Sequence, residues 1–207
     1  MAYLTTDGVL DLALGKQHDT SSALRVKALA WLNEALQHLY LERDWLCLYA
    51  TATLTASNGT ITKPADYGRF RYAQSTASGG EFYCDNRNRL TDLEAYLLAD
   101  PNDAAPVPSG FSEDATSIYF VPGVTGDVVL GYVKTVPTYA DNETTIFEEK
   151  FKNVLSRAIQ AQVYEYENDP RAMASLQLDG VLLSQIKTEE NRQKPITKRT
   201  KYLRGYQ

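Results

Sequence analysis

The period of the apolar residues changes twice along this chain, from helical to alternating near Trp45 and back to helical after Pro137. A fold built from one kind of secondary structure cannot satisfy both periods. In the first stretch Leu24, Ala28, Leu32, Ala35 and Leu39 recur at spacings of three and four, with Val26, Leu29 and Leu36 widening the stripe. That spacing places one apolar face along a helix of about Ser22 to Leu41, and such a face must pack on other helices. From Asp44-Trp45 onward, Leu46, Leu48, Ala50, Ala52 and Leu54 alternate with Trp45, Cys47, Tyr49, Thr51 and Thr53, which predicts one long two-faced strand. After Pro137, the positions of Phe147, Phe151, Val154, Leu155, Ala158, Ile159 and Gln162 predict a helix from about Glu143 to Glu167.

Local signals fill in the remaining elements. A short first helix spans Thr6 to Leu14, burying Val9, Leu10, Ala13 and Leu14, with Gly15 as its stop and Asp19, Thr20 and Ser21 as candidate caps for the next helix. Asn58-Gly59 predicts a type I′ hairpin turn, with Thr60-Ile61-Thr62 as the returning strand before Pro64. Further strands are expected at Phe70–Ala73 and Glu81–Cys84, and Thr91-Asp92-Leu93-Glu94 reads as the capping box of a short helix to about Leu98. A proline-rich connection, Ala99 to Gly110, leads to strands Ser117–Val121 and Asp127–Lys134, joined by Pro122–Gly126 as a longer hairpin loop. Asn168-Asp169-Pro170 opens a last helix to about Glu190, expected to bury Met173, Leu176, Val181, Leu182 and Ile186. The predicted class is therefore α+β: a helical bundle formed by the N- and C-terminal helices (residues 1–43 and 138–190), with an inserted antiparallel β-sandwich or barrel module (44–137) and a basic tail (191–207).

Composition narrows what such a fold can do. At 207 residues and 43% hydrophobic content the chain can bury a core, and its size suits one body with an insertion. A net charge of -5 gains nothing from counterion release on DNA, so the surface as a whole is not expected to grip phosphates. Its longest apolar runs, such as Trp45–Ala50, fall far short of the roughly 20 residues that span a bilayer. The opening residues lack the order of a secretory leader, so neither membrane insertion nor Sec export is expected. Cys47 and Cys84 stand apart, with no second cysteine at a metal or redox spacing, and read as reduced thiols of the β module.

Catalysis finds little support. Of the two histidines, His18 lies in a polar loop and His38 on the outer side of a helix, and neither begins a metal-ligand spacing. The pairs Glu148-Glu149 and Glu189-Glu190, taken as helical, diverge by about 100° and read as solvated faces. No glycine pattern forms a phosphate cradle. The expectation is a protein that is not an enzyme, with no cofactor and no metal. Among 14 tyrosines, Tyr49, Tyr67, Tyr72, Tyr83, Tyr119 and Tyr132 fall in the β module, where sheet packing is favoured over an interface role. The tail is the strongest local signal: Arg192, Lys194, Lys198, Arg199, Lys201 and Arg204 occur there without an acid. Its readings are a frayed terminus, a DNA-contacting arm, or a segment that orders on a protein. The apolar residues Ile196, Tyr202, Leu203 and Tyr206 favour the protein, because a purely electrostatic arm needs no such anchors.

In order, the Asp44-Trp45 helix exit, Gly59-x-Ile61-x-x-Pro64-x-Asp66-Tyr67 followed by Arg69-Phe70, Ile118–Pro122, Leu130-Gly131-Tyr132-Val133-Lys134-x-x-Pro137 and Asp169-Pro170 make a pattern over nearly the whole chain. This pattern resembles the adaptor, or head-completion, proteins of tailed bacteriophages, including the upper tail-tube proteins of short-tailed phages. The resemblance implies a virion protein of the head-to-tail junction, made in the bacterial host cytoplasm. It further implies a homo-oligomeric ring, typically twelvefold, docked on the portal protein ring, with a downstream tail or nozzle protein and genomic DNA passing through without sequence recognition. It assigns the ten tail residues named above, Arg192 to Tyr206, to portal binding. The competing reading is an aromatic-rich β module of a phage tail that binds a host receptor or glycan.

Overall fold

The computed structural model describes residues 2–15, 21–75, 82–85, 89, 110–121 and 123–193, with backbone alone at 82–83, 121, 173–179 and 193. In chain order its elements are Tyr3–Thr5 (β1), Thr6–Leu14 (α1), Ser22–Glu42 (α2), a 3-10 turn at Leu46–Leu48, Tyr49–Ala56 (β2), Thr60–Thr62 (β3) and Tyr67–Ser75 (β4). There follow Phe82–Asp85 (β5), Gly110–Glu113 (β6), Ser117–Val121 (β7), Gly126–Lys134 (β8), Thr144–Glu148 (β9), a 3-10 turn at Glu149–Phe151, Lys152–Tyr166 (α3) and Ala172–Gln193 (α4). The class is α+β, and the chain divides into two compact units: a helical unit of Met1–Cys47 with Pro137–Gln207, and a β unit of Leu48–Val136.

In the helical unit, Ser21 caps α2 by accepting the Leu24 N–H at 3.2 Å, and the stripe Leu24, Ala28, Leu32, Leu36 and Leu39 is buried. Leu36 rather than Ala35 completes that stripe, and Val26 lies outside it, 69% exposed. The segment after Pro137 is tied to the N-terminal helices by directional polar contacts. Asn33 Nδ2 donates to the Tyr139 carbonyl at 3.0 Å and its Oδ1 accepts the Tyr139 N–H at 2.8 Å. Arg25 forks onto Asp141 at 2.7 and 3.0 Å and also reaches Asp11 at 2.8 Å. Gln160, buried on α3, donates to the carbonyls of Leu12 and Ala13 in the last turn of α1.

The helix expected from Glu143 is shorter than its period suggests. Thr144–Glu148 is instead a strand paired antiparallel with β1, from Tyr3↔Glu148 to Thr5↔Thr144, and α3 begins at Lys152. Phe147 and Phe151 are both buried, which a strand followed by a tight turn achieves as well as a helix would. At the other junction the long strand expected from Trp45 begins only at Tyr49, because Leu46–Leu48 forms a 3-10 turn. Trp45 is fully buried, donates its indole N–H to the Leu39 carbonyl at 2.7 Å and meets Phe151 edge-on at 5.0 Å. The last helix starts at Ala172, buries Ile186 and leaves Val181 55% exposed, contrary to its expected burial.

In the β unit two antiparallel sheets have the strand orders β2-β8-β4-β5 and β3-β7-β6. Both contribute to one buried cluster, in which Phe70 and Phe111 stack at 3.9 Å between centroids beside Phe120, Val128 and Leu130. Asn58 and Gly59 take φ of 47° and 78°, the left-handed pair that an I′ turn requires, and Ser57 and Thr60 exchange backbone bonds at 3.0 Å. The strands then part: β2 pairs with β8 and β3 with β7, so the expected hairpin is only a corner between sheets. The expected β7–β8 hairpin is likewise absent, because those strands belong to different sheets. Strands β1 and β6 had no sequence expectation, and the residues of β9 were expected to be helical. The expected Thr91–Leu98 helix and the connection up to residue 109 lie outside the described residues.

Candidate functional site

The best-built polar site in the helical unit is where α4 ends and the basic tail begins. Helical spacing puts Leu183, Ile186 and Glu190 along one stripe of α4, with Lys187 and Asn191 on the adjacent one. Glu190 is fully buried there, and one oxygen accepts from Lys150 Nζ at 2.9 Å while the other accepts the Leu46 N–H at 3.3 Å. Lys150 also meets Glu148 at 2.7 Å, so one cation bridges two carboxylates. On the neighbouring stripe Lys187 pairs with Glu42 and Asn191 accepts from Arg43 at 3.1 Å, which fastens the last turns of α4 to the end of α2.

The electrostatics mark this site as a clamp. Burial alone would lower the Lys150 ammonium, but hydrogen bonds and charge from Glu148 and Glu190 outweigh it and hold its pKa above the ordinary value. The Cys47 thiol is pushed up to about 12, first by burial and then by Glu148 and Glu190. A thiol so shifted stays protonated and is a poor nucleophile near neutral pH. The expectation of two solvated helical carboxylate pairs needs correcting on both counts. Glu148 ends a strand rather than sitting in a helix, and Glu190 lies on the buried stripe of α4, where Lys150 neutralises it.

Beside the clamp, α2, α3 and Leu183 of α4 line a groove of about 540 Å³. Its floor is apolar (Ala35, Leu39, Val154, Leu155), and Leu41 is 71% exposed. Glu34, His38 and Glu42 also line it, with His38 at 3.8 Å from Glu34. A histidine beside one exposed carboxylate, with no nucleophile between them, lacks the parts of an acid–base site. His18 lies outside the described residues.

In the β unit Tyr67, Tyr119 and Tyr132 are engaged with carboxylates. The Tyr67 hydroxyl donates to Glu113 at 2.6 Å, and Lys63 and Arg89 each meet the same carboxylate at 3.0 Å. Burial would raise the Glu113 carboxyl, but Tyr67 and Lys63 hold it below its ordinary range. Tyr132 stacks on Tyr67 at 5.8 Å and donates to Asp66 at 2.8 Å, and its phenol is pushed up to about 12 by burial and by Asp66. Tyr119 donates to Asp114, whose pKa falls to about 2 through that hydroxyl and the N–H groups of Thr116 and Ser117. Ionised acids saturated with donors brace loops and transfer no protons near pH 7. Among the described residues no group of three or more His, Cys, Asp or Glu side chains could hold a metal ion, and no helix is long and apolar enough to cross a membrane.

Of the residues assigned to partner binding, Arg192 is described: it is exposed in the last turn of α4, two positions past Glu190. Lys194, Ile196, Lys198, Arg199, Lys201, Tyr202, Leu203, Arg204 and Tyr206 lie outside the described residues. The clamp residues Lys150 and Glu190 carried no such assignment. One signal was available, since Glu190 falls four residues after the buried Ile186 and shares its face. Compared with known families, residues 6–199 match the model of the SU10 adaptor protein. No curated protein matches the chain.

Proposed function

This chain belongs to the SU10 adaptor protein family, and on that footing we propose that it is one subunit of a ring that joins a bacteriophage portal to the tail and continues the DNA channel. Family membership makes it a structural component of the phage particle, from a family of adaptors and not of enzymes. The family match over residues 6–199 is the observation that carries the reading. Twelvefold symmetry, docking on the portal ring and a downstream tail or nozzle partner are parts of the proposal. So is the division of labour: residues 1–43 and 138–190 form a helical bundle that meets the portal, 44–137 form a β-sandwich facing tail components, and 191–207 form a clasp.

Two features support this arrangement. The clamp of Glu190, Lys150, Lys187 and Asn191 fixes the end of α4, so a segment leaving Gln193 starts from a rigid point, which lowers the entropy lost when it docks. A net charge of -5 suits a conduit past which DNA must slide. Electron microscopy of the protein mixed with its portal should show rings capping the portal; a protein that never associates with portal rings would overturn the reading. Truncation after Gln193 keeps the clamp whole and removes the tail. It should weaken portal binding by at least about tenfold if the apolar anchors dock, and undiminished affinity would remove the clasp from the proposal.

A further inference from the structure

β2 forms one margin of the four-stranded sheet, with β8 as its strand neighbour. It is eight residues long and keeps an unbroken register from Tyr49↔Val133 to Ala56↔Gly126. β4, on the other side of β8, carries two register shifts. An antiparallel ladder uses the N–H and C=O of alternate residues, so half of the backbone groups of β2 face away from β8. Among the described residues, nothing hydrogen-bonds to that outer row from Ala50 to Ala56.

Free edges in stable monomers are blunted by charge, proline, a bulge or shortness. β2 has none of these: its sequence is Tyr-Ala-Thr-Ala-Thr-Leu-Thr-Ala. Its faces are sorted as well, with Thr51, Thr53 and Thr55 exposed on one side and Ala50, Ala52 and Leu54 packed against the core on the other. We propose that this edge pairs antiparallel with β2 of a second copy of the chain, joining two four-stranded sheets into one.

The strand's own alternation selects that partner. A pairing centred on Thr53 sets Thr53 against its own counterpart, Thr51 against the partner's Thr55, and Ala52 against the partner's Leu54. Threonine then meets threonine on the outer face and apolar meets apolar over the joined cores, and no charge is left opposite another. A strand with charged or differently phased side chains loses this match. The contact is two-fold, so it closes at two copies and cannot extend into a ring. It therefore describes the free subunit before assembly, a state beyond the adaptor reading.

Sedimentation velocity of the full chain over a rising concentration series should show a reversible dimer. Thr53→Lys, at an exposed position, places two like charges across the seam and should weaken the dimer at least about fivefold while leaving the far-ultraviolet circular dichroism unchanged. Thr53→Cys gives a gain-of-signal check: mild oxidation should link two copies through Cys at this site, much faster than Val181→Cys on α4 does. A chain that stays monomeric throughout the series, or a dimer indifferent to Thr53→Lys and not trapped by Thr53→Cys, would overturn the proposal. Portal binding, measured separately, neither depends on this outcome nor decides it.

Discussion

The helical unit is made of two stretches of chain separated by almost ninety intervening positions, Leu48–Val136, and the β unit is made of that single intervening stretch. They are held differently. Besides the short β1–β9 ladder and apolar contacts such as Trp45 on Phe151, the two halves of the helical unit are joined by directional polar pairs at fixed points: Thr6 with Ala140 and Glu143, Arg25 with Asp141, Asn33 with Tyr139, and Glu190 with Leu46. The β unit relies on ladders and on a stacked aromatic cluster. An apolar stripe on a helix attracts any other apolar stripe, because the hydrophobic effect has no direction. Where the segments to be matched are far apart in sequence, polar pairs decide which surfaces meet. In the sheets, strand register already does so.

Substitutions can break this contrast. Both tryptophans, Trp31 and Trp45, lie in the helical unit, so indole fluorescence during urea unfolding reports on that unit alone. Trp45→Ala removes a fully buried ring, its bond to Leu39 and its contact with Phe151, and should cost about 4 kcal/mol, read from the remaining Trp31. Glu190→Ala strands the Leu46 N–H and half of the Lys150 pairing and should cost about 3 kcal/mol; a loss below about 1 kcal/mol would mean that the clamp contributes little beyond packing. In the β unit, Gly59→Ala puts a methyl group 2.7 Å from the Gly123 Cα at a φ of +78°, and should cost about 2 kcal/mol. Its unfolding shift should appear in the far-ultraviolet signal of the sheets and leave the indole signal in place.

The smallest effect comes with a pH signature. Glu113→Gln removes a charged acceptor from Tyr67, Lys63 and Arg89 and should cost about 1 kcal/mol at pH 7. Because the folded-state pKa of Glu113 lies below its unfolded value near 4.3, its contribution is complete above that pH and is lost as pH falls through the folded value. The difference between the two proteins should therefore close under acid conditions. A gap that persists there would assign the effect to shape and not to charge.

Much of this organisation was legible in the sequence where local chemistry and tertiary packing agree. The α2 stripe, the I′ pair Asn58-Gly59 and the alternation from Ala50 to Ala56 each follow from residue type and spacing. Misreadings arose where two periods coincide. Phe147 and Phe151, four apart, look like one helical face, and only the pairing of Thr144–Glu148 with Tyr3–Thr5 makes the first of them part of a strand. Asn58-Gly59 marks a reversal but cannot show that its two strands leave for different sheets. The clamp was hidden for a similar reason: an acid beside another acid reads as solvated until Lys150 is brought against it from forty positions earlier. The helix's own period already placed Glu190 with Ile186 on the buried side.

The pairing of β1 with β9 bears on how the chain is made. Tyr3 finds its partner only when Glu148 exists, and α3, which packs on both α1 and α2, is later still. A ribosome adding about 5–20 residues each second takes roughly 7 to 30 seconds to travel between those strands. Through that interval the earliest helices carry uncovered apolar faces while the β unit, contiguous in sequence, can already be folding. Nascent chains stalled before Thr144 should accordingly be cut readily within Thr6–Leu14, and chains stalled well beyond Tyr166 should resist. Tyr3–Thr5, made long before its partner strand, is among the last segments to be secured.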